Sequence, residues 1–492
     1  MLFPTPEFAI FFFLIFIAAW ALRAHPEARK ALLLAASYFF YGYWDWRLTG
    51  LLAGSSTLNY LAGLGLASTK DKVIRKRIML AAVAANLCVL GFFKYYNFFM
   101  DSLTDLTVAL GIQRDMPFLE IVLPIGISFF TFHGISYVVD VYRGHTKPVR
   151  SPIDIFLYIS FFPQLVAGPI LRASHFLPQL TRTASLNRTA VVFGFLLILN
   201  GMLKKVVLAH YIAIGLVDPV FADPTHASSI DLIAAHYAYA VQVYCDFSAY
   251  SDIAIGTAAL LGYRFRKNFD RPLGATSLAQ LWQRWHISLS TWLRDYLYRA
   301  LRGEKRETGA RMYRNIFLTM LLGGLWHGAN WTFVVWGAIH GIGLCAERFI
   351  KTRWHAFRTG RRLSMAGAAV VGEYPEQPKA NRFATFVGWL ITFHLFTLSA
   401  IFFRSPDFGT AVDYFITMFS FQGGPHLLTP FLLALTAGSV AVQFLRGNGI
   451  ERLAESARDL SPVWIGLLFG VGLLLIEMIG PEGVAPFIYF QF

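Results

Sequence analysis

The sequence contains few cysteines and few acidic residues. The three cysteines, Cys88, Cys245 and Cys345, lie in apolar segments without the spacing of a metal site, so we expect core thiols and no disulfide framework. Asp and Glu number 29 against 43 Lys and Arg, which gives a net charge of +14. Because the cations lie in short loops between apolar runs, they indicate orientation in a membrane and contact with anionic head groups, and not nucleic-acid binding.

Several sequence signatures are also missing. No zinc signature, Walker loop, dinucleotide glycine fingerprint or nucleophile elbow is found, and no strand-like alternation of polar and apolar residues. Long apolar runs dominate instead: 56% of the 492 residues are hydrophobic, 46 of them are Phe, and the mean hydropathy is +0.50. This composition predicts an all-α, multi-span membrane protein with about ten or eleven transmembrane helices and no separate soluble domain.

The distribution of Lys and Arg predicts which loops face the cytoplasm. The run Ile78–Phe99 follows a basic loop and precedes Asp101 and Asp105, so we expect one span and then an outer loop over Asp101–Met116. The run 153–171 is interrupted by proline and glycine and has basic residues at both ends. We expect it to be re-entrant, because irregular backbone at membrane depth must be buried in protein or line a cavity.

One histidine stands in an otherwise apolar run. His327 lies between Trp326 and Gly328, and strongly basic segments bracket the run, so both ends are expected in the cytoplasm. The segment 315–346 has roughly 30 residues, too few for two spans of about 20. It predicts a second re-entrant piece, a helical hairpin with its turn at Trp326–Trp331. His327 would then lie at the floor of a cavity open to the cytoplasm.

A second histidine, His286, lies in the more polar segment Leu278–Arg302. Aromatic and apolar residues recur there every three or four positions, as on one face of a helix: Trp282, Trp285, Leu289, Trp292 and Tyr296. The charged residues between them make the segment too polar to span. We therefore expect a helix at the cytoplasmic interface with its aromatic face toward the membrane or the cavity.

Charged residues also occur inside apolar runs. Asp246 and Asp252 lie within the expected span Leu232–Tyr263, and Lys204 and Lys205 lie near the middle of another. Ionisable groups at membrane depth are functional candidates. The alternative is structural: each carboxylate bonds a serine, a tyrosine or a lysine and holds helices together. The lysines must snorkel, face the protein interior or mark a break in the helix.

Proton transfer by histidine is the chemistry that these residues offer. Imidazole titrates near neutrality and suits a general base, which is useful where a hydroxyl attacks a thioester. A dry site strengthens nearby dipoles and limits hydrolysis of the acyl donor. A histidine beside tryptophan can equally be a buried hydrogen bonder between helices, and the residues alone leave both possibilities open for His327. We interpret His340 as such a buried hydrogen bonder.

Five ordered motifs resemble those of the membrane-bound O-acyltransferase family. They are Phe162-Pro-Gln-Leu-Val-Ala-Gly-Pro-Ile-Leu-Arg172, Cys245-Asp-Phe-Ser-Ala-Tyr-Ser-Asp-Ile-Ala-Ile-Gly256, Asn268-Phe-Asp-Arg-Pro272, Trp285-His-Ile-Ser-Leu-Ser290 and Trp326-His-Gly-Ala-Asn-Trp331. The similarity is strongest to the bacterial branch that includes alginate O-acetylation and teichoic-acid D-alanylation proteins. It implies a single integral-membrane domain over 1–492 that forms a helical funnel, with the core motifs within 121–350.

The resemblance also implies roles for individual residues. His327 is expected to be catalytic, with His286 in the same cavity as a second catalytic or supporting group. Trp326, Asn330, Trp285, Asp246 and Asp252 are the candidate substrate-binding residues. No tightly bound cofactor and no metal is expected, and acetyl-CoA or another cytoplasmic acyl thioester is the expected co-substrate.

The function implied is transfer of an acetyl group across a bacterial inner membrane for O-acetylation of an exported, alginate-like polysaccharide. The expected partners are the lipid bilayer, an extracytoplasmic acetyltransferase of the SGNH type and an exopolysaccharide biosynthesis complex. One alternative is D-alanyl transfer from a carrier protein to teichoic acid. Another is a non-catalytic transporter of the acyl donor, which is disfavoured because transporters usually show an internal repeat and this sequence shows none.

Overall fold

The computed structural model describes residues 1, 3–112, 119–185, 187–303, 308–359, 381–445, 447–481 and 483. Within these ranges the secondary structure is helical and contains no strand, which confirms the all-α prediction. Contacts gather the chain into two compact units. The first contains Met1–Gly194 and Ile253–Phe265, and the second contains Phe195–Asp252 and the described residues from Arg266 onward. The prediction of one domain over 1–492 stays a prediction.

The first unit is built from helices that pack through small residues and amide side chains. Its helices are α1 (Pro6–Ala21), α2 (Pro26–Gly42), α3 (Thr49–Ser68), α4 (Lys72–Ala109), α5 (Ile127–Arg143), α6 (Pro152–Ser160), α7 (Phe162–Leu165) and α8 (Ala173–Leu180), with a short 3₁₀ turn at Trp46–Leu48. Asn59 and Asn86 exchange side-chain hydrogen bonds of 3.2 and 3.0 Å between α3 and α4. Such buried amide pairs fix the register of apolar helices because each amide needs a partner.

The segment 153–171 is broken, as its prolines and glycines predict. α6 ends at Ser160, and α7 is a single turn packed in the interior of its unit. Gly168 leaves no room for a side chain, since a Cβ there would lie 2.5 Å from Gln164 Cα. The irregular backbone is therefore enclosed by protein, which is the condition expected at membrane depth. Re-entry itself stays a prediction.

Helix α4 differs from the expectation. It continues through Asp101 and Asp105 to Ala109, so the outer loop predicted over Asp101–Met116 is wrong for its first part, and residues 113–118 lie outside the described residues. The helix stops where Gly111 adopts φ +75° and the Ile112 N–H bonds the Thr107 carbonyl at 2.9 Å. This glycine-dependent cap, and not the change in polarity, ends the helix.

The second unit carries the histidines of the predicted site. Helix α9 (Arg188–Met202) leads into it, and α12 (Ser229–Leu260) belongs to it as far as Asp252. Its further helices are α10 (His210–Ile212), α11 (Asp218–Ala222), α13 (Leu278–Arg284), α14 (Ile287–Trp292), α15 (Arg299–Arg302), α16 (Gly309–His327), α17 (Trp331–Thr359), α18 (Arg382–Arg404), α19 (Phe408–Met418), α20 (Pro430–Val442), α21 (Gly449–Ser456) and α22 (Pro462–Ile479). Wider, π-helical turns occupy Leu203–Ala209, Ala213–Val217 and Leu293–Tyr298, and a 3₁₀ turn occupies Pro272–Gly274.

Five helical stretches among the described residues are long and apolar enough to cross a membrane. They are Lys72–Ala109, Arg188–Ala222, Trp331–Phe357, Arg382–Arg404 and Pro462–Ile479. Two shorter helices, Pro6–Ala21 and Pro430–Val442, are also apolar. The chain is therefore a multi-span membrane protein, while the predicted total of about ten or eleven crossings stays a prediction.

Candidate active site

The site is built around the hairpin of α16 and α17. α16 ends at His327 and α17 begins at Trp331, so the turn lies within the segment expected to form it. Gly324 and Gly337 let the two backbones touch, because a Cβ on Gly324 would lie 2.8 Å from Gly337 Cα and even closer to the Phe333 carbonyl oxygen. Both helices extend beyond 315–346. Since α17 alone is long enough to cross, re-entry of this hairpin stays a prediction.

His327 lies inside an aromatic cluster at the end of α16. Its side chain is 5% exposed. The ring centroid lies 5.0 Å from that of Trp326, 5.1 Å from that of Trp336 and 5.3 Å from that of Phe403, each in an edge-to-face arrangement. These contacts fix the plane of the imidazole and place apolar rings around it, so a group held there is shielded from water.

His286 interrupts the helix predicted over Leu278–Arg302. The aromatic stripe does not lie on one helix, because α13 ends at Arg284 and α14 begins at Ile287. His286 between them has φ 42° and ψ 56°, a left-handed conformation that is uncommon for a residue other than glycine. The expected single interfacial helix is therefore wrong at this point. Such a backbone outlier persists only where surrounding contacts impose it.

Asn268 provides those contacts. Its carbonyl accepts the N–H of Ile287 at 2.9 Å, and its side-chain oxygen accepts the N–H of Ser288 at 3.0 Å. Its amide group donates to the Ser251 hydroxyl at 3.1 Å on α12. The side chain is 1% exposed. The Asn-Phe-Asp-Arg-Pro motif thus supports the Trp-His-Ile-Ser motif and sets where His286 points.

The imidazole of His286 is fully buried and polar. It is 0% exposed, and neither of its ring nitrogens has a hydrogen-bond partner among the described residues. Its ring lies edge-on to Phe247 at 4.5 Å. His286 lies outside the five helical stretches that are long and apolar enough to cross a membrane. Burial lowers the pKa of its imidazole to about 3. Its imidazole is therefore neutral and a weak base, with hydrogen-bonding capacity left unused.

Trp326 contacts both histidines. Its ring centroid lies 5.0 Å from that of His327 and 6.2 Å from that of His286. The structure therefore brings together His327, Trp326 and His286, which the sequence placed in one cavity from two separate motifs. Their roles in the reaction stay predictions.

Trp285 and Asn330 make contacts that account for both residues structurally. Trp285 is buried against Phe269 and Phe396, with ring centroids 5.3 and 5.0 Å away. The Asn330 side-chain oxygen accepts the Thr332 N–H at 2.9 Å, which caps the start of α17, and its amide donates to the Pro406 carbonyl at 2.6 Å. A substrate contact for either residue stays a prediction.

Asp246 and Asp252 pair with the two lysines. Lys204 Nζ lies 2.8 Å from Asp252, which also accepts a 2.6 Å bond from Asn200. Lys205 Nζ lies 2.5 Å from Asp246, and both partners are almost fully buried. The π-helical turn Leu203–Ala209 belongs to one continuous helix from Arg188 to Ala222, and both lysines turn inward from it to these carboxylates. Of the possibilities left open by the sequence, the lysines therefore face the protein interior. These ion pairs agree with the structural alternative, and substrate binding by the carboxylates stays a prediction.

His340 is the buried hydrogen bonder that the sequence predicts. It is 0% exposed, and its Nε2 lies 3.0 Å from the Ser399 hydroxyl. Its ring also packs on Trp336, which in turn packs on His327. Sequence reasoning missed Trp336 and Phe403 as neighbours of His327. The motif around His340 contains the tryptophan but gives no sign of which way it points.

No group of three or more His, Cys, Asp or Glu side chains that could hold a metal ion is found within the described ranges. The three cysteines form no disulfide; Cys245 is buried, but Cys88 is exposed on α4 and is not the core thiol that the sequence predicts.

The sequence of this chain is similar to those of known membrane-bound acyltransferases. Residues 143–372 match the family model of the membrane-bound O-acyltransferases, and this stretch includes the motifs of both site histidines. The chain is 40% identical to the probable alginate O-acetylase of Pseudomonas aeruginosa over 428 residues, which cover 86% of this chain and 75% of that protein.

The chain is also similar to two proteins that are named for a different acceptor or a different transferred group. The peptidoglycan O-acetyltransferase of Helicobacter pylori is 32% identical over 453 residues, with 86% of this chain and 80% of that protein covered. The teichoic acid D-alanyltransferase of Streptococcus thermophilus is 28% identical over 235 residues, with 45% and 55% covered. The chain therefore belongs to the membrane-bound O-acyltransferase family and is an acyltransferase of the membrane.

Proposed function

We propose that this protein transfers acetyl groups from a cytoplasmic thioester across the bacterial inner membrane for O-acetylation of an exported polysaccharide. The observation that carries the proposal is the contact of two buried histidines with one tryptophan, His327 and His286 on Trp326. The similarity to O-acetylases over most of the chain supports acetyl as the group transferred. An alginate-like polymer is the acceptor that this similarity favours.

His327 acts as the general base. Its imidazole takes the proton of an acceptor hydroxyl while the hydroxyl oxygen forms a bond to the thioester carbonyl carbon. The carbon–sulfur bond then breaks, and the departing thiolate receives the proton from the imidazolium, so an ester and a thiol replace an alcohol and a thioester. The surrounding rings exclude water, which would otherwise compete with the hydroxyl for the acyl carbon.

His286 and the pocket residues prepare this step. A neutral, buried imidazole with unused hydrogen-bonding capacity suits a donor to the thioester carbonyl oxygen, where negative charge develops in the transition state. Trp326, Trp285, Asn330, Asp246 and Asp252 are proposed to shape the substrate pocket. Acetyl-CoA or another acyl thioester serves as co-substrate, with no tightly bound cofactor. An extracytoplasmic acetyltransferase of the SGNH type, within an exopolysaccharide complex, receives the acetyl group.

The decisive experiment replaces the proposed base. We expect His327→Ala to abolish polymer O-acetylation while the protein stays in the membrane at the parent level, since loss of a general base costs roughly 10²–10⁴-fold in rate. Acetyl ester content of the exported polymer and immunoblotting of membranes are the two measurements. His145→Ala, which removes an exposed histidine, is the matched control. Parent-level acetylation by the His327→Ala protein would refute the assignment.

D-alanyl transfer remains the second candidate, because the chain is also similar to a teichoic acid D-alanyltransferase. Purified protein in proteoliposomes, supplied in turn with a labelled acetyl thioester and a labelled D-alanyl carrier protein, separates the two. Label from acetyl alone supports the proposal. Label from D-alanyl alone would mean that the transferred group is D-alanyl, and the proposed role of His327 as the base would stand. Passage of the donor without bond cleavage would favour the transporter.

A further inference from the structure

A surface groove of about 510 Å³ lies between α16 and α17, apart from the histidine cluster. Its walls are formed by Tyr313, Arg314 and Phe317 of α16 and by Ile342, Cys345 and Phe349 of α17. Ile342 is 60% exposed and Phe349 51% exposed. In a bilayer, exposed apolar side chains alone carry little information, because lipid tails are as apolar as the side chains they cover.

Charge at one end makes this groove different from a plain lipid-facing surface. Arg314 lines the groove, and its guanidinium donates to Asn315 Oδ1 at 3.2 and 2.9 Å through Nε and Nη2, which leaves its other N–H groups for a ligand. The Arg353 guanidinium lies 5.2 Å above the ring of Phe349, which also lines the groove. The lining residues include no acidic side chain. Arg314 and Arg353 lie near the two basic ends of the hairpin, which the charge pattern assigns to the cytoplasmic side.

We propose that this groove binds one anionic phospholipid of the cytoplasmic leaflet. An acyl chain lies along Phe317 and Ile342, and the phosphate is held by Arg314 and Arg353. Guanidinium groups suit this role because their planar donors match phosphate oxygens. The proposal concerns the outside of the hairpin and does not depend on which acyl group the enzyme transfers.

The selectivity must come from the head group. Since burying a tail against helices gains little over leaving it in the bilayer, the two arginines set the preference for anionic over zwitterionic lipid. Attraction of one basic residue to an anionic membrane surface corresponds to roughly a fivefold preference, so removal of each arginine should reduce the preference by about that factor.

Lipid retention by the full chain tests this directly. Protein reconstituted in nanodiscs with equal phosphatidylglycerol and phosphatidylcholine is released into the gas phase, and the lipids that stay bound are counted by native mass spectrometry. We expect the parent to retain phosphatidylglycerol and the Arg314→Gln/Arg353→Gln variant to lose the preference. Lys76→Gln/Arg77→Gln removes the same charge from the exposed start of α4 and should retain it.

Cys345 offers a second measurement on the unaltered groove. Its thiol is partly exposed, whereas Cys245 is buried and Cys88 lies in α4, a helix long and apolar enough to cross a membrane. We expect maleimide labelling of Cys345 to be slower in phosphatidylglycerol than in phosphatidylcholine, and the Arg314→Gln/Arg353→Gln variant to show no such difference. Ala346→Trp, which fills the groove, should abolish lipid retention and leave the chain folded, because Ala346 is exposed.

Three results would overturn the proposal. One is equal retention of both lipids by the parent. Another is equal loss of phosphatidylglycerol in the Lys76/Arg77 control. The third is a dimer that forms through the groove and is disrupted by Ala346→Trp, which would make a second copy of the chain the occupant.

Discussion

At the residue scale, the feature that sequence patterns could not supply is the backbone of His286. The periodicity of Trp282, Trp285 and Trp292 predicts a continuous helix, and the left-handed turn at His286 breaks it. The turn depends on Asn268, which lies before the aromatic stripe in the sequence. Asn268 accepts hydrogen bonds from the backbone of the two residues that follow His286. The two motifs identify both histidines as candidate site residues, but only the structure shows that both contact Trp326.

A pair of substitutions at His286 separates its backbone from its side chain. His286→Asn and His286→Ala both remove the ring. Asparagine tolerates the left-handed backbone conformation, whereas alanine adopts it at a cost of about 1–2 kcal/mol. We expect the alanine variant to be less stable by about that amount, and both to lose most acyl transfer. Denaturant unfolding in detergent and acetylation of polymer are the measurements. A fully active alanine variant would show that the His286 nitrogens are not used, whereas the asparagine amide can itself donate a hydrogen bond to the substrate.

At the element scale, the sequence predicted the kinds of elements better than their ends. The hairpin turn near His327 follows from a short apolar run between basic segments, and the interruption of 153–171 follows from its prolines. The end of α4 at Ala109 does not follow from polarity, because Asp101 and Asp105 are accommodated in a helix that only Gly111 terminates. Likewise, α16 and α17 continue through basic residues such as Arg314 and Arg348, which lie at the ends of the apolar run.

The closeness of α16 and α17 gives an element-scale prediction. In Gly324→Ala the new methyl group would meet backbone atoms of Phe333 and Gly337, which cannot move aside without opening the hairpin. In Gly323→Ala it would meet only the end of the Leu293 side chain, at 3.2 Å. We expect Gly324→Ala to cost about 1–3 kcal/mol and to lower acyl transfer.

Gly323→Ala is the matched control, since it makes the same chemical change one residue away. It should keep parent stability within about 1 kcal/mol, because alanine also improves helix propensity by up to that amount. Thermal unfolding of the two purified variants, with activity measured beside it, checks the contrast. Equal behaviour of the two would mean that backbone contact does not hold the hairpin closed.

At the scale of the whole molecule, composition and the placement of charges predict the class of protein. They do not predict which buried lysine pairs with which aspartate. Hydropathy and loop charge predict a helical membrane protein. Nothing in the sequence assigns Lys204 to Asp252 or Lys205 to Asp246, because several polar groups could have met each carboxylate. Removal of one member would take from the other charge its ion-pair partner in a buried or partly buried place, which explains why these costly groups occur together.

The carboxylate of Asp231 bonds to two distant parts of the chain. Asp231, in the first turn of α12, accepts the N–H groups of His426, Leu427 and Leu428 at 3.0, 3.1 and 2.9 Å and the hydroxyl of Ser228 at 2.8 Å. Burial of this group opposes ionisation, but the backbone donors outweigh it and hold the pKa of Asp231 below its ordinary value. The segment that leads into α20 is therefore fastened by a charged acceptor.

Stability should consequently fall in acid through Asp231. A lowered pKa in the folded state means that the contribution is fully present above the ordinary carboxyl pKa of about 4 and is lost as the pH falls through the folded value. Asp231→Asn should lower the free energy of unfolding by about 2 kcal/mol at pH 7, since hydrogen bonds to a charged acceptor are stronger than those to a neutral one. The same substitution should make stability less dependent on pH in acid. Melting temperatures of detergent-solubilised protein between pH 7 and pH 3 measure this. Asp413→Asn removes an exposed charge from α19 and should follow the parent curve, whereas an unchanged acid slope in Asp231→Asn would mean that another group carries the acid sensitivity.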